Sequence, residues 1–329
     1  MKCAILCDHE EAVTCDWSKE HDEVAMARIA VAQDDHEERM NSPFRTSQEQ
    51  AVTDIESGVS RHYASYDVLA RIRAGLAQMG LDPDQIEPDV LQPVDEFHIG
   101  GAEATAALLE ELDIRPGMNV LDIGSGIGGP ARTIARRYGC RVTGVDLTPH
   151  FVETAHALSA MTGMADRVHF EIGSAVALPF PDGRFDLAFL LHVGMNVPDK
   201  MSLFREARRV LRDGGTFAIY EVMRTGDGDL AFPVPWAETA EHSALETPQT
   251  YLTAAKAAGF ALEAEKSRRE MALEFFSRLH AQATSGMPPP LGLHNLMGPT
   301  VKEKSANMMA AVRAGAIAPV QMVFSTAQA

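Results

Sequence analysis

Apolar positions along this chain fall into two alternating rhythms. Over 63–81 they recur at helical spacing (Val68, Leu69, Ile72, Leu76, Met79), and Gly80 with Pro83 ends the run. A proline-dotted connection over 83–93 leads to DEFHIGG at 95–101, and EATAALLEEL at 103–112 reads as the next helix. Past residue 115 the period switches back and forth. Short apolar runs near 118–123, 141–146, 167–172, 184–191 and 215–222 read as strands, and stretches near 129–138, 150–162, 199–212 and 248–259 as helices. This alternation predicts an α/β fold: a mostly parallel sheet covered on both faces, with ligands at the carboxyl ends of its strands. Two further strands are expected at 260–266 and 317–325, making seven. Between them lie a helix over 270–284, the loop GMPPPLGLHNLMGP and a helix over 301–313. Together with 225–247 and the residues before 100, this irregular material is expected to form a lid over a Rossmann-like core.

The stretch VLDIGSGIGGP, 120–130, carries the candidate chemistry. Gly124, Gly126 and Gly129 spell G-x-G-x-x-G between an apolar strand and a helix, and Asp146 ends the following strand. Small residues there let the backbone turn sharply toward a ligand at a helix N-terminus, and the acid is placed to accept hydrogen bonds from both ribose hydroxyls of an adenosine. The turn is shared physics. It suits a nicotinamide cofactor or another adenosine-bearing molecule.

Composition narrows the field. The 329 residues carry a net charge of −17 and are 46% hydrophobic, which argues against nucleic acid or an anionic membrane surface as the main partner. Arg132, Arg136, Arg137, Arg141 and Arg205, Arg208, Arg209, Arg212 are local exceptions, expected on the solvated faces of two helices. There is no run of about eighteen apolar residues to span a bilayer. Four cysteines suggest no disulfide scaffold, so the expected location is the reducing cytoplasm. The first 40 residues hold eleven acids against four bases, a net of −7. Cys3, Cys7, His9, Cys15 and His21 lie among them at spacings that match no standard zinc motif, so no metal is expected and 1–56 reads as an acidic extension. The remaining organisation is N-terminal lid helices over 57–100, a cofactor-binding core over 101–267 and 317–329, and an inserted lid segment over 268–316.

Four more stretches separate the cofactor classes: Asp122 two residues before the first loop glycine, LPFPDGRFDLAFLLHV at 178–193, LFREARRVLRDGGTFAIYEV at 203–222, and TAAKAAGF at 253–260. Together with the glycine loop they resemble the class I S-adenosylmethionine-dependent methyltransferases over roughly 95–325. More narrowly they resemble the small-molecule group that includes quinone and tocopherol C-methyltransferases and glycine, sarcosine and dimethylglycine N-methyltransferases. The resemblance implies a seven-stranded sheet whose last strand inserts antiparallel, S-adenosyl-L-methionine as cofactor, and a small-molecule methyl acceptor, whether amine, thioether or activated carbon. It implies that Asp122 lies near the cofactor's methionine end, that Gly124, Ser125 and Gly126 pass beneath it, and that Asp146 takes the ribose with Leu147 beside the adenine. Ser174 and Ala175 follow the third strand at the adenine. Ser174 departs from the acid common there, which weakens that contact. His98 and Ile99 would close over the cofactor from the N-terminal side.

For the transfer itself, His192 at the end of the fourth strand can take the acceptor's proton, orient the acceptor, or simply cap the pocket wall. Glu221, ending the fifth strand, reads either as a partner for an ammonium or hydroxyl or as a surface carboxylate. Asn196, Trp236 and His294 are candidate substrate-lining residues, Trp236 offering a ring face or plain packing. Two other functions stay open at this stage: an NAD(P)-dependent oxidoreductase on the same loop, and a catalytically silent cofactor-binding protein. The sequence leaves the acceptor's identity and the oligomeric state open.

Overall fold

The computed structural model describes residues 67–284, 289–297 and 300–327. The acidic extension, the Cys/His cluster and the first residues of the N-terminal lid lie outside these. Seven strands form one sheet in the order β3-β2-β1-β4-β5-β7-β6: β1 Asn119–Ile123, β2 Arg141–Asp146, β3 Val168–Ile172, β4 Phe185–Leu191, β5 Leu211–Arg224, β6 Phe260–Ser267 and β7 Ile317–Thr326. Strands β1 to β5 pair in parallel, while β7 enters antiparallel to both β5 and β6.

Burial explains the order. The central strands are apolar on both faces: in β1, Val120, Leu121, Asp122 and Ile123 are all buried. Of the two edges, β3 alternates and exposes His169 and Glu171, while β6 is exposed along most of its length, Glu263, Glu265 and Lys266 included. Charged edges of this kind resist further strand pairing.

Helices α3 (Gly101–Leu109), α4 (Gly129–Tyr138) and α5 (Pro149–Met161) cover one face, where Leu108, Ile134, Val152, Phe189 and Tyr220 pack together. Helices α6 (Lys200–Val210) and α7 (Pro248–Ala257) cover the other, around Phe204, Phe217, Tyr251 and Phe324. Asp199 and Thr247 cap α6 and α7 by accepting from Ser202 N and Thr250 N.

Two further clusters form the lid. In one, α1 (Val68–Gln78) and α2 (Gln92–Asp95) meet α9 (His294–Met297) through Ile72, Leu76, Leu91, Val94, Leu291 and Leu296, over Ile127 and Phe151 of the core. In the other, α8 (Arg269–Thr284) and α10 (Val301–Ala314) pack with the 225–247 insertion through Trp236, Ala272, Phe276, Met308 and Val312. The two short helices α2 and α9 fall where the sequence reads as connection and loop, since four residues are too few to show a period.

One expectation is overturned. Arg132 does not lie on a solvated face: it is 1% exposed. Its guanidinium donates to Asp95 Oδ2 at 2.8 Å, Ile127 O at 2.8 Å and Ser159 Oγ at 3.2 Å. The lid acid Asp95 supplies the countercharge that makes the burial tolerable.

Candidate active site

The site grows out of the ends of β1, β2 and β4. Gly124 and Gly126 have φ of +73° and +52°. A Cβ at Gly124 would lie 2.3 Å from Val193, so only glycine lets the β4 loop come this close. At Gly126 a Cβ would meet nothing within 4 Å, because the turn opens onto a cavity there. Asp146 is fixed by that turn: Oδ2 accepts from Gly126 N at 2.8 Å and Oδ1 from Thr148 N at 2.9 Å. Each oxygen keeps accepting capacity toward the cavity.

This first cavity is lined by the sequence candidates His98, Asp122, Gly124, Ser125, Gly126, Asp146, Leu147, Ser174, Ala175, His192 and Asn196. Asp95, Phe97, Ile127, Phe151 and Val193 line it too and were not picked out as site residues. Of these, Asp95 carried a usable signal, an acid beside another acid in an apolar DEFHIGG context. Buried side-chain oxygens without a hydrogen-bond partner gather here: Asp95 Oδ1, Asp122 Oδ2, Ser125 Oγ and Asn196 Oδ1. Burial, together with Asp146 and Glu96, raises the Asp122 pKa well above the ordinary carboxylate range. Ser174 Oγ already accepts from Val176 N at 3.3 Å, which turns the chain after β3.

A second cavity adjoins the first and shares Phe97, His98 and His192 with it. Ile99 and Trp236 line this one. Trp236 Nε1 donates to Ser243 Oγ at 2.9 Å, so its polar group is used within the insertion. His294 lines neither cavity, although its neighbours Leu293 and Leu296 do.

The neck between the cavities is built from two histidines, with ring centroids 5.8 Å apart. His192 adopts φ +56°, the left-handed region that few side chains enter. Its Nδ1 lies 3.0 Å from Tyr220 O, a carbonyl that can only accept, so the proton is on Nδ1. Nε2 then accepts from Ile99 N at 3.4 Å. Burial and the neighbouring His98 push the His192 pKa down to about 3, and burial brings His98 to about 4. Both rings are neutral at pH 7.

Glu221 lies outside both linings. It is fully buried behind the β4 loop, its Oε1 accepting from Val193 N at 3.0 Å and Oε2 from Gly194 N at 2.7 Å. Burial pushes its pKa up to about 8, against the pull of the two N–H donors and of Lys200. Lys200 Nζ donates to Val197 O at 2.6 Å and Ala244 O at 2.9 Å and so ties this loop to the 225–247 insertion.

Residues 121–219 match the family described as methyltransferase domain. The chain is 37% identical over 118 residues to a sterol 24-C-methyltransferase of Gibberella zeae, a match covering 36% of this chain and 31% of that one. It is 35% identical over 143 residues to methyltransferase GfsG of Streptomyces halstedii, covering 44% and 50%. In fold it resembles a geranyl diphosphate C-methyltransferase of Streptomyces coelicolor A3(2), solved with Mg2+, geranyl diphosphate and S-adenosyl-L-homocysteine; the TM-score is 0.59 at 18% identity, over 82% of this chain and 97% of that one. Residues 121–219 are thus similar to a methyltransferase domain, and the solved structure shares the fold. The sequence matches span about a third to a half of those curated relatives' length. The antiparallel β7 and the domain match favour a methyltransferase over the nicotinamide reading.

The cofactor of such a domain is S-adenosylmethionine, and the cavity fits it. A ribose needs a preoriented double acceptor, which Asp146 is. An ammonium needs an unspent buried carboxylate oxygen, which Asp122 offers. Among the described residues no helix is long and apolar enough to cross a membrane, and no cluster of three or more His, Cys, Asp or Glu could hold a metal ion.

Proposed function

We propose that this protein is an S-adenosylmethionine-dependent methyltransferase acting on a small-molecule acceptor in the cytoplasm. The observation that supports this best is the gathering of unpartnered buried oxygens from Asp95, Asp122, Ser125 and Asn196 around one cavity at the glycine turn. Unsatisfied buried polar atoms are costly, and a polar ligand that donates to them recovers the cost. The cytoplasmic assignment rests on sparse cysteine usage, Cys140 being free and buried.

When bound, S-adenosylmethionine supplies a methyl group already activated on a sulfonium. What remains for the chain is binding, alignment and exclusion of water. Asp146 and Asp122 would hold the two polar ends of the cofactor, and Leu147 and Phe151 would line its adenine end. Ser174 gives that ring a weaker anchor than an acid would. The second cavity receives the acceptor, and the lid clusters close it to water. For His192 the geometry favours orientation over proton transfer: one ring nitrogen is donated to Tyr220 O, the other faces Ile99 N–H, and the imidazole resists protonation. Glu221 is a positioning residue that fixes Val193 and Gly194 and through them the left-handed turn of His192. Trp236 is an apolar wall of the acceptor cavity, and His294 has no role in it.

Calorimetry on the full chain tests the reading. Tight one-to-one binding of S-adenosylhomocysteine and none of NAD is expected. The reverse order would return the protein to the oxidoreductases. Transfer of labelled methyl to any acceptor would exclude a silent cofactor-binding protein.

A further inference from the structure

The second cavity has a chemical character that the fold does not dictate. Its space, counted together with the solvent it opens onto, is about 540 Å³. Phe97, Trp236, Phe275, Phe276, Leu279 and Met308 set its walls, and the other lining residues are aliphatic, methionine or proline apart from Ser305 and the two neck histidines. Among the described residues, none that lines it is Asp, Glu, Lys or Arg. Three neighbouring bases are engaged elsewhere. Lys304 is paired with Glu238 at 2.7 Å, Arg278 with Glu103 at 2.6 Å, and Arg269 donates to the carbonyls of Val312 and Arg313.

We infer that the methyl acceptor is an uncharged, largely hydrocarbon molecule carrying no more than a hydroxyl- or carbonyl-type polar group, an inference that rests on the methyltransferase reading above. The walls and the neck carry it. A carboxylate or diphosphate would enter a cavity with no cation among its described lining residues to receive it. Its burial would go uncompensated. An ammonium would find aromatic faces, but cation–π attraction offsets only part of the loss of water when no carboxylate is at hand. An apolar skeleton gains from every wall, and Ser305 supplies the one hydroxyl among the described lining residues, enough for a single polar group. The two neck histidines are neutral and add no charge to this balance. The acceptor class is therefore set by the α8 and α10 lid and the 225–247 insertion, while the sheet sets only the cofactor.

The test uses the full chain saturated with S-adenosylhomocysteine and the neutral fluorophore N-phenyl-1-naphthylamine as probe. One probe is expected to bind per chain. Geraniol, geranylamine and geranyl diphosphate share a tail and differ in the charge of the head, and geraniol is expected to displace the probe at concentrations at least tenfold lower than the other two. Equal or better displacement by the amine or the diphosphate overturns the inference. So does absence of probe binding by a chain that still binds S-adenosylhomocysteine. A chain that fails to bind S-adenosylhomocysteine sinks the methyltransferase reading instead. Location is tested by Leu279→Lys, which puts a cation in the wall, and by Ser305→Trp, which fills the space from the half-exposed side of α10. Each is expected to weaken the probe at least tenfold and leave S-adenosylhomocysteine affinity unchanged. Unaltered probe binding in a folded form of either variant overturns the placement.

Discussion

At the scale of single residues, what matters is which lone pairs and protons are already spent. Asp146 spends one direction of each oxygen on Gly126 N and Thr148 N and keeps the rest for the cofactor. Asp146→Ala removes a charged acceptor for two hydroxyls, each bond being worth about 1.5–3 kcal/mol. Affinity for S-adenosylhomocysteine by calorimetry should fall at least tenfold with the fold intact. His192 has spent both ring nitrogens, on Tyr220 O and Ile99 N. Its Cε1 proton resonance should therefore show no titration between pH 5 and 9. His192→Asn keeps a neutral amide in a residue that tolerates the left-handed turn, so turnover should stay within about tenfold and its pH profile unchanged. A fall of about 10²–10⁴-fold would restore His192 as the proton acceptor. The sequence points to His192 and Glu221 because they end strands. It does not show which way the chain turns next, and that turn decides whether a strand-end side chain reaches the cavity or, as with Glu221, lies behind it.

At the scale of elements, two buried carboxylates join segments distant in sequence. Glu221 on β5 holds the loop after β4 by accepting from two backbone N–H groups, partners that can only donate. Glu221→Gln turns one acceptor into a second donor facing an N–H. The variant should lose about 1–3 kcal/mol, which for a chain of this size is a fall of several degrees in Tm by calorimetry. Asp95 on α2 pairs with Arg132 on α4, side chains 3% and 1% exposed. Asp95→Ala strands a buried guanidinium and should cost about 3–5 kcal/mol. It should also loosen the lid, seen as faster hydrogen exchange in α1 and α2, where the alternative of a plain surface pair would leave both unchanged. Strands and long helices were legible because burial on both faces or on one stripe leaves a period. Arg132 was misjudged because a base in a helix reads as solvated unless its acid, 37 positions away, is known to fold back onto it.

At the scale of the whole molecule, the core was readable from motif order and alternation, while the lid was readable only by elimination. Residues 225–247 and 268–316 carry no period of the sheet and pack on each other, so nothing in the sequence marks Phe275, Phe276 and Met308 as walls of the second cavity. Packing so many ionisable groups into one site leaves a pH signature. Burial pushes Glu96 up to about 8, with Thr105 and Thr133 hydroxyls on its two oxygens. Glu221 is raised to about 8 as well, while His98 and His192 are lowered to about 4 and about 3. The signs oppose. Below pH 6.5 the unfolded chain takes up protons on the two histidines that the folded chain refuses, so their contribution to stability is lost as pH falls from 6.5 toward 4 and 3. Above 4.5 the unfolded chain releases the two glutamate protons that the folded chain keeps until about 8, so their contribution is lost as pH rises through that window. Between about 4.5 and 6.5 the four groups nearly cancel. From 6.5 to 8 the glutamates are the two of these four that act, in the same direction as the raised Asp122, and the cofactor-free protein should lose stability there by up to about 1.4 kcal/mol per pH unit for each glutamate. Glu96→Gln checks the assignment, since a threonine hydroxyl can accept from the new amide as readily as it donated to the acid. Thermal unfolding of the variant should show a smaller decline in Tm between pH 6.5 and 8 than the wild type. An undiminished decline would mean that Glu96 is ionised in the folded protein throughout.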